Sequence, residues 1–208
     1  MTDSTQPKIP APDQEQDAPE QSALRGESDA ELYAFPLSPV QERMWHAFLR
    51  NPESPIFNAS FRWQLEGPLD PHLIQLSFEE IIRRHEVLRA HFGVVDGEPR
   101  QLIAPEMKVT IARSDLSGMP AAERDAEFDR MSAVEAQTCF DLRTGPLLRI
   151  GLIRMEAKRH VLTLTLHHII CDGWSIGIIM EELQKIYAAL AEGQPSPLQS
   201  CRSSTVIS

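Results

Sequence analysis

The stretch LTLHHIICDGWS, residues 164–175, decides how this sequence is interpreted. An apolar run ends in two adjacent histidines, His167 and His168, and Asp172 and Gly173 follow closely. Side chains alternate along a strand, so the two histidines face opposite sides and cannot both reach one small ligand. The sequence also has no HExxH pattern and no cysteine pair to complete a metal site. The spacing therefore argues against a metal site here.

Two other interpretations of this stretch stay open. One is a working histidine, because an imidazole near neutral pH can take a proton from an amine or an alcohol. Asp172 would then anchor the turn by pairing with an arginine or by accepting backbone N–H bonds. Gly173 would permit a tight turn or a left-handed conformation before a helix that starts near Ser175. The other interpretation is a strand end and a turn without chemistry, which the spacing alone favours.

Composition and charge bound the class of protein. Of the 208 residues, 42% are hydrophobic, which supports a core, and no apolar run approaches the ~18 residues of a membrane helix. The net charge is −10, and residues 1–32 hold eight acidic residues against Lys8 and Arg25. We expect these 32 residues to form a disordered acidic leader or linker. The remainder has no basic nucleic-acid footprint.

Cysteine usage indicates the compartment. The three cysteines, Cys139, Cys171 and Cys201, are widely spaced and form no CxxC pair. A disulfide framework or a structural zinc site is therefore not expected, and a reducing cytoplasm fits best. No signal-peptide pattern opens the sequence.

Helix and strand signals alternate irregularly over residues 33–198. Ser38, Pro39 and Gln41 form a capping-box arrangement for a first helix, and Asp70 and Pro71 begin a second. A half-buried strand with alternating apolar residues lies between these helices. The mixed order predicts an α/β or α+β fold rather than a doubly wound sheet.

The second half adds further elements. Asp96-Gly97 predicts a hairpin turn, and a helix is expected from Pro120 to about Thr138, with its apolar side chains Phe128, Met131 and Val134 facing inward. Two successive strands, PLLRIGLIRME and HVLTLTLHHI, lead into the opening stretch, and a final helix ends at Gly193. Residues 199–208 are expected to be an unstructured, aberrant tail.

Three segments carry a resemblance to one family. HHIICDGWS resembles the HHxxxDGWS signature of condensation domains from nonribosomal peptide synthetases. LSPVQERMW (residues 37–45) resembles the first core motif of that family, and RHEVLRAHF (residues 84–92) resembles the second. The similarity covers residues 35–198, and the DGWS form resembles the subtype that joins two L-configured residues.

The resemblance implies a chloramphenicol acetyltransferase-like fold, an α+β two-layer sandwich that forms the first lobe of a V-shaped, two-lobed domain. The family forms amide bonds between aminoacyl or peptidyl thioesters in secondary-metabolite biosynthesis. The segment that the family carries after residue 198, and the second lobe, are not found in this sequence, so residues 33–198 are expected to be the N-terminal lobe alone and inactive by themselves.

The resemblance also implies roles for the residues of the opening stretch. His168 would be the active-site histidine, acting as a general base or orienting the amine. The Gly173 backbone N–H would help to bind the oxyanion, and His167 and Asp172 would be structural. Asp172 would hold the loop through a salt bridge with an arginine. Arg84 and Arg89 are the candidates in this sequence, and the alternative is an arginine in the part of the family fold that this chain lacks.

The implied partners are donor and acceptor carrier proteins, which present substrates on phosphopantetheine, with no cofactor bound directly to this chain. A second chain that supplies the C-terminal lobe is a further candidate partner, and neither nucleic acid nor membrane is expected. Two alternatives stay open: a CoA- or carrier-dependent O-acyltransferase or epimerase-type relative of the same fold, and a non-catalytic, truncated interaction module.

Overall fold

The fold combines two small sheets with helices. A computed structural model of the chain describes residues 22–24 and 32–198. Within these residues the strands are β1 Ser22–Leu24, β2 Leu32–Pro36, β3 Asn58–Glu66, β4 Ala90–Val95, β5 Glu98–Ile103, β6 Ala112–Asp115, β7 Leu148–Glu156 and β8 Arg159–His167. The α-helices are α1 Pro39–Arg50, α2 Pro71–Arg84, α3 Ala121–Gln137 and α4 Gly173–Ala191, and a 3₁₀ turn covers Glu86–Arg89. The predicted mixed α/β class is confirmed.

The first sheet is antiparallel and has the strand order β1-β2-β5-β4. The β4–β5 hairpin turns at Asp96 and Gly97, as predicted, with φ angles of 53° and 82°. Positive φ at both central residues is what a type I′ hairpin turn requires.

Strand β1 lies inside the leader that was predicted to be disordered, so that prediction was wrong for residues 22–24. The strand pairs in antiparallel register with β2, from Ser22 opposite Ala34 to Leu24 opposite Leu32. The physical reason is that the free edge of β2 offers unpaired backbone groups to a neighbouring segment. The remainder of the predicted leader and the predicted tail, residues 199–208, lie outside the described residues.

The second sheet has the order β3-β8-β7-β6 and is antiparallel except for the β6–β7 pair. One face of the central strand β8 carries Leu162, Leu164 and Leu166, each at most 1% exposed. Helices α2 and α4 cover this face through a set of buried apolar residues that includes Phe78, Ile81, Ile82, Ile176, Ile179 and Ile186. The sequence HVLTLTLHH thus delivers both histidines to the end of a buried central strand.

The first two helices begin where the sequence predicted. Ser38 and Gln41 form the capping box of α1, and the Asp70 carboxylate accepts the His72 N–H at the start of α2. Such caps satisfy backbone donors that have no carbonyl partner inside the helix.

Helix α3 packs on the opposite face of the second sheet. Phe128 and Met131 contact a small cluster formed by Leu116, Ile153 and Met155. Val134, predicted to face inward, is 55% exposed, so this part of the prediction was wrong. Each step of three residues rotates a helix by about 300°, so Val134 lies about 120° around the axis from Phe128.

Among the described residues, no helix has the length and apolar character that would let it cross a membrane.

Candidate active site

The candidate site is the loop that joins β8 to α4. The His167 N–H donates to the Leu147 carbonyl at 3.0 Å, one residue beyond the last β7–β8 pair, Leu148 with Leu166. The next N–H, of His168, donates to the Phe57 carbonyl at 2.9 Å, and the Ile170 N–H turns back to the His167 carbonyl at 3.1 Å. The backbone on both sides of His168 is therefore fixed by hydrogen bonds.

The imidazole of His168 is exposed. In the part of the chain that the structure describes, no side chain or backbone group is hydrogen-bonded to its ring. A rigidly held backbone with an unengaged imidazole leaves both ring nitrogens available to a substrate. The side chain of His168 is thus exposed to solvent, whereas that of His167 is buried.

His167 is only 5% exposed and lies between the rings of Phe57 and Phe140, with centroid distances of 5.7 and 6.3 Å. Its Nδ1 accepts the Ile169 N–H at 3.1 Å, which assigns the ring proton to Nε2. Burial, assisted by the nearby His168, lowers the pKa of His167 from 6.5 to about 4. His167 is therefore a neutral acceptor at physiological pH, and it holds the turn that carries His168.

Asp172 caps helix α4. Its carboxylate accepts the Ser175 N–H at 2.8 Å and the Ser175 hydroxyl at 2.6 Å. The Asp172 N–H donates to the Ser175 oxygen at 3.3 Å, which completes a capping box. The hydrogen bonds from Ser175 lower the pKa of Asp172. Of the two anchors considered for Asp172, the described residues show acceptance of a backbone N–H and no arginine.

Neither candidate arginine is paired with Asp172, so that expectation was wrong for both. Arg89 is buried, and its guanidinium donates to the carbonyls of Ile82, Arg83 and Ala104 at 2.7 to 2.9 Å. A buried guanidinium needs acceptors for its fixed fork of donors, and these carbonyls supply them.

Arg84 instead forms an ion pair with Glu182 of α4 at 3.1 Å. The same carboxylate contacts His85 Nε2 at 2.8 Å, so one acid of α4 holds two residues at the end of α2. The pair crosses between helices that pack side by side on the second sheet. The RH of the second motif therefore positions α4 rather than the Asp172 loop.

Gly173 is the first residue of α4 and is exposed, so the helix starts two residues before the predicted position near Ser175. It is not among the glycines with positive φ, so the expected left-handed conformation is not used. Its N–H belongs to the first helical turn, where backbone donors lack intrahelical acceptors and the helix dipole favours negative charge.

Sequence reasoning missed a second function of Gln41. Besides capping α1, its side-chain amide donates to the Ile169 carbonyl at 3.3 Å and to Gln101 Oε1 at 2.8 Å. The first motif is thus tied directly to the histidine loop across a separation of 128 residues. A polar residue in an otherwise regular cap gives no signal of such a contact.

No group of three or more histidine, cysteine or acidic side chains suited to a metal ion occurs among the residues placed by the structure. Cys171 is buried, and burial raises the pKa of its thiol to about 12.

The comparisons with known proteins agree with this geometry. The sequence profile described as "Condensation domain" matches residues 32–204. The chain belongs to the condensation domain family. It is 43% identical over 164 residues to a linear gramicidin synthase of Brevibacillus parabrevis, which covers 79% of this chain and 3% of that synthase. It is 36% identical over 169 residues to phosphinothricin tripeptide synthetase PhsB of Streptomyces viridochromogenes, covering 79% of this chain and 14% of that protein.

Solved condensation domains share the fold. The starter condensation domain of rhizomide synthetase RzmA superposes with a TM-score of 0.73 at 25% identity, covering 82% of this chain and 42% of that chain. The first condensation domain of the CDA synthetase superposes with a TM-score of 0.72, covering 82% and 43%. The chain therefore spans less than half the length of these condensation domains. The predicted fold is confirmed for the part of the domain that this chain covers.

Proposed function

We propose that this chain is the first lobe of a condensation domain that forms amide bonds between carrier-bound thioesters in nonribosomal peptide synthesis. The observation that carries the proposal is the exposed, unengaged imidazole of His168 at the end of β8. The buried neutral His167 and the Asp172 cap fix the two sides of its loop. Family membership supplies the chemistry for which this geometry is suited.

In the proposed reaction, the amine of an acceptor aminoacyl thioester attacks the carbonyl carbon of a donor thioester. His168 accepts the proton of the attacking amine or holds the amine in line. The C–N bond forms, the C–S bond breaks, and the pantetheine thiolate leaves with a proton. The Gly173 N–H, at the positive end of α4, would stabilise the oxyanion.

The proposed partners are donor and acceptor carrier domains bearing phosphopantetheine, and the place of action is the cytoplasm. A second lobe, on the same polypeptide or on another, would complete the tunnel. Trp174, next to the cap of α4, is 81% exposed and Ile56 is 75% exposed, and we propose that both would contact that lobe.

The test is a lobe exchange. Residues 32–198 replace the corresponding lobe of a condensation domain of the linear gramicidin synthase, and aminoacyl carrier proteins are supplied at both sides. We expect dipeptidyl carrier protein by intact-protein mass spectrometry, and its loss in His168→Ala. His72→Ala, at an exposed position of α2, is the matched control and should retain activity.

The 208-residue chain alone is expected to give no product. Condensation that persists in the His168→Ala hybrid would contradict the role of His168. Product formation only with a hydroxyacyl acceptor would replace amide by ester formation.

A further inference from the structure

A cavity lies on the face of the second sheet that is opposite α2 and α4. It has a volume of about 600 Å³ and is lined by α3, by strands β3, β7 and β8, and by β6 with the segment before it. Its lining includes Thr163 and Thr165 but not His167, His168, Asp172 or Gly173. This volume is within the range of small-molecule sites in proteins, about 300 to 1,000 Å³.

Two contacts hold α3 over the sheet. Phe128 and Met131, near the middle of the helix, pack into the small cluster. At the C-terminal end of the helix, the Asn58 side-chain amide donates to the carbonyls of Ala136 and Thr138, both at 2.9 Å. No residue of α3 is fully buried, so the helix packs only partly against the sheet and leaves space beneath it.

The walls of the cavity are apolar, and hydroxyl groups interrupt them. Met131, Ala136 and Ile153 belong to the apolar part of the lining. On the sheet, the hydroxyls of Ser60 and Thr165 are paired at 3.1 Å. On α3, Ser132 Oγ is shielded from solvent and has no hydrogen-bond partner among the described residues. A buried hydroxyl without a partner costs free energy, and a ligand oxygen would remove that cost.

Three cations lie in the lining, Lys108, Arg62 and Arg149, together with one acid, Glu135. Arg149 forms an ion pair with Glu135 at 2.6 Å, and the exposed Arg62 guanidinium stands over the Phe128 ring at 5.9 Å. Lys108 is exposed, and within residues 32–198 no acidic side chain forms an ion pair with it. The cavity thus combines an apolar interior with a free hydroxyl and with positive charge at its solvent-exposed edge.

We infer that this cavity is a binding site for an amphipathic carboxylate, with its hydrocarbon part beneath α3 and its carboxylate at Lys108. The combination matches the general design of small-molecule sites, an apolar interior with a few placed polar groups that fix orientation. The site stands apart from His168 and does not depend on the amide-forming reaction. Its occupancy would support α3 in the region where the sheet does not.

The experiment uses decanoate as the probe, with the full 208-residue chain and the probe below its micelle concentration. Isothermal titration calorimetry should show saturable binding of decanoate. Decanol, which lacks the charge, should bind at least about tenfold more weakly, a difference of about 1.4 kcal/mol in binding free energy. In amide NMR spectra, decanoate should shift Val109, Gly151, Thr163 and Ala136. Shifts confined to the surface around Trp174 and Ile56 would overturn the assignment.

Two variants test the geometry. Ala136→Phe fills the cavity and should abolish binding, whereas Ala126→Phe, at an exposed position of the same helix outside the lining, should not. Lys108→Glu should weaken decanoate but not decanol, and Lys158→Glu, in the β7–β8 turn, is the charge-matched control. Circular dichroism identifies any variant that fails to fold. Ser132→Ala removes only one hydroxyl and should bind decanoate more weakly, which gives a second test. Decanoate affinity that is the same in all folded variants would refute the site.

Discussion

The Asp172 carboxylate accepts both the N–H and the hydroxyl of Ser175, at 2.8 and 2.6 Å, and so fixes the first turn of α4 against the loop that carries His168. The cap thus fixes the start of α4 directly after the loop that carries the candidate catalytic histidine. Among the described residues, this contact takes the place of the arginine salt bridge that the resemblance implied.

Replacement of Asp172 distinguishes a cap from a salt bridge. Asp172→Ala should lower the free energy of unfolding by about 1 kcal/mol, because the cap is lost, whereas Asp172→Asn should lose only a few tenths, because an amide oxygen caps nearly as well. Urea denaturation at neutral pH measures both. If the carboxylate charge were the essential feature, the two variants would be equally destabilised.

The buried His167 should make the stability depend on pH. Its pKa is about 4 in the folded chain and about 6.5 when unfolded, so the unfolded chain binds the proton first. The stabilisation of the folded state by neutral His167 is complete above pH 6.5 and is lost as the pH falls toward 4. The total loss over this window is roughly 3 kcal/mol of unfolding free energy.

The measurement compares wild type with His167→Asn, which keeps an acceptor for the Ile169 N–H but does not titrate. The difference between their unfolding free energies should change over this window and be constant above it. In NMR titrations, an imidazole that follows the ordinary pKa of 6.5 at position 167 would show that His167 is not buried as described.

Glu182 should be important for packing between α2 and α4. Burial raises the pKa of its carboxyl, but the hydrogen bonds from Arg84 and His85 outweigh this and lower it, so the group is ionised in the folded chain. Glu182→Gln should cost about 1 to 3 kcal/mol at neutral pH, because charge-assisted bonds to the 5% exposed Arg84 side chain are weakened.

The neighbouring Glu181→Gln variant is the control. Glu181 forms an exposed pair with Lys185 one helical turn away, and such pairs contribute about 0.3 to 0.5 kcal/mol. The Glu182 contribution should also fade in acid, as the pH falls through the lowered pKa. Equal costs for the two variants would show that the interhelical pair contributes no more than a surface pair.

Gly151 should not tolerate a side chain. A methyl group added at this position of β7 would lie 2.5 Å from Thr163 Oγ1 on the adjacent strand β8. Gly151→Ala should therefore cost about 1 to 3 kcal/mol, as other overpacked sites do.

The double variant Gly151→Ala/Thr163→Ala provides the check, because it removes the obstructing hydroxyl. It should be more stable than the sum of the single effects predicts by more than about 0.5 kcal/mol, as expected for residues in contact. Additive effects would show that backbone freedom, not the threonine, requires glycine here.

The local features of this chain were readable from its sequence. Capping residues at Ser38 and Asp70, the Asp-Gly hairpin turn and the alternation along β8 act over a few residues, so their patterns survive in the linear order. Adjacent histidines on a strand also had to face opposite ways, because the pleat alternates by one residue.

Contacts between distant segments were decided by tertiary packing alone. The sequence does not indicate which acid Arg84 meets, because Asp172 and Glu182 both carry a carboxylate. The structure pairs Arg84 with Glu182, whereas Asp172 caps its own helix. The tie from Gln41 to Ile169 and the cavity beneath α3 likewise arise only when the elements stack, because they depend on which surfaces are left unfilled. Local chemistry fixes where an element starts and which face is apolar, and three-dimensional packing decides which polar groups then find each other.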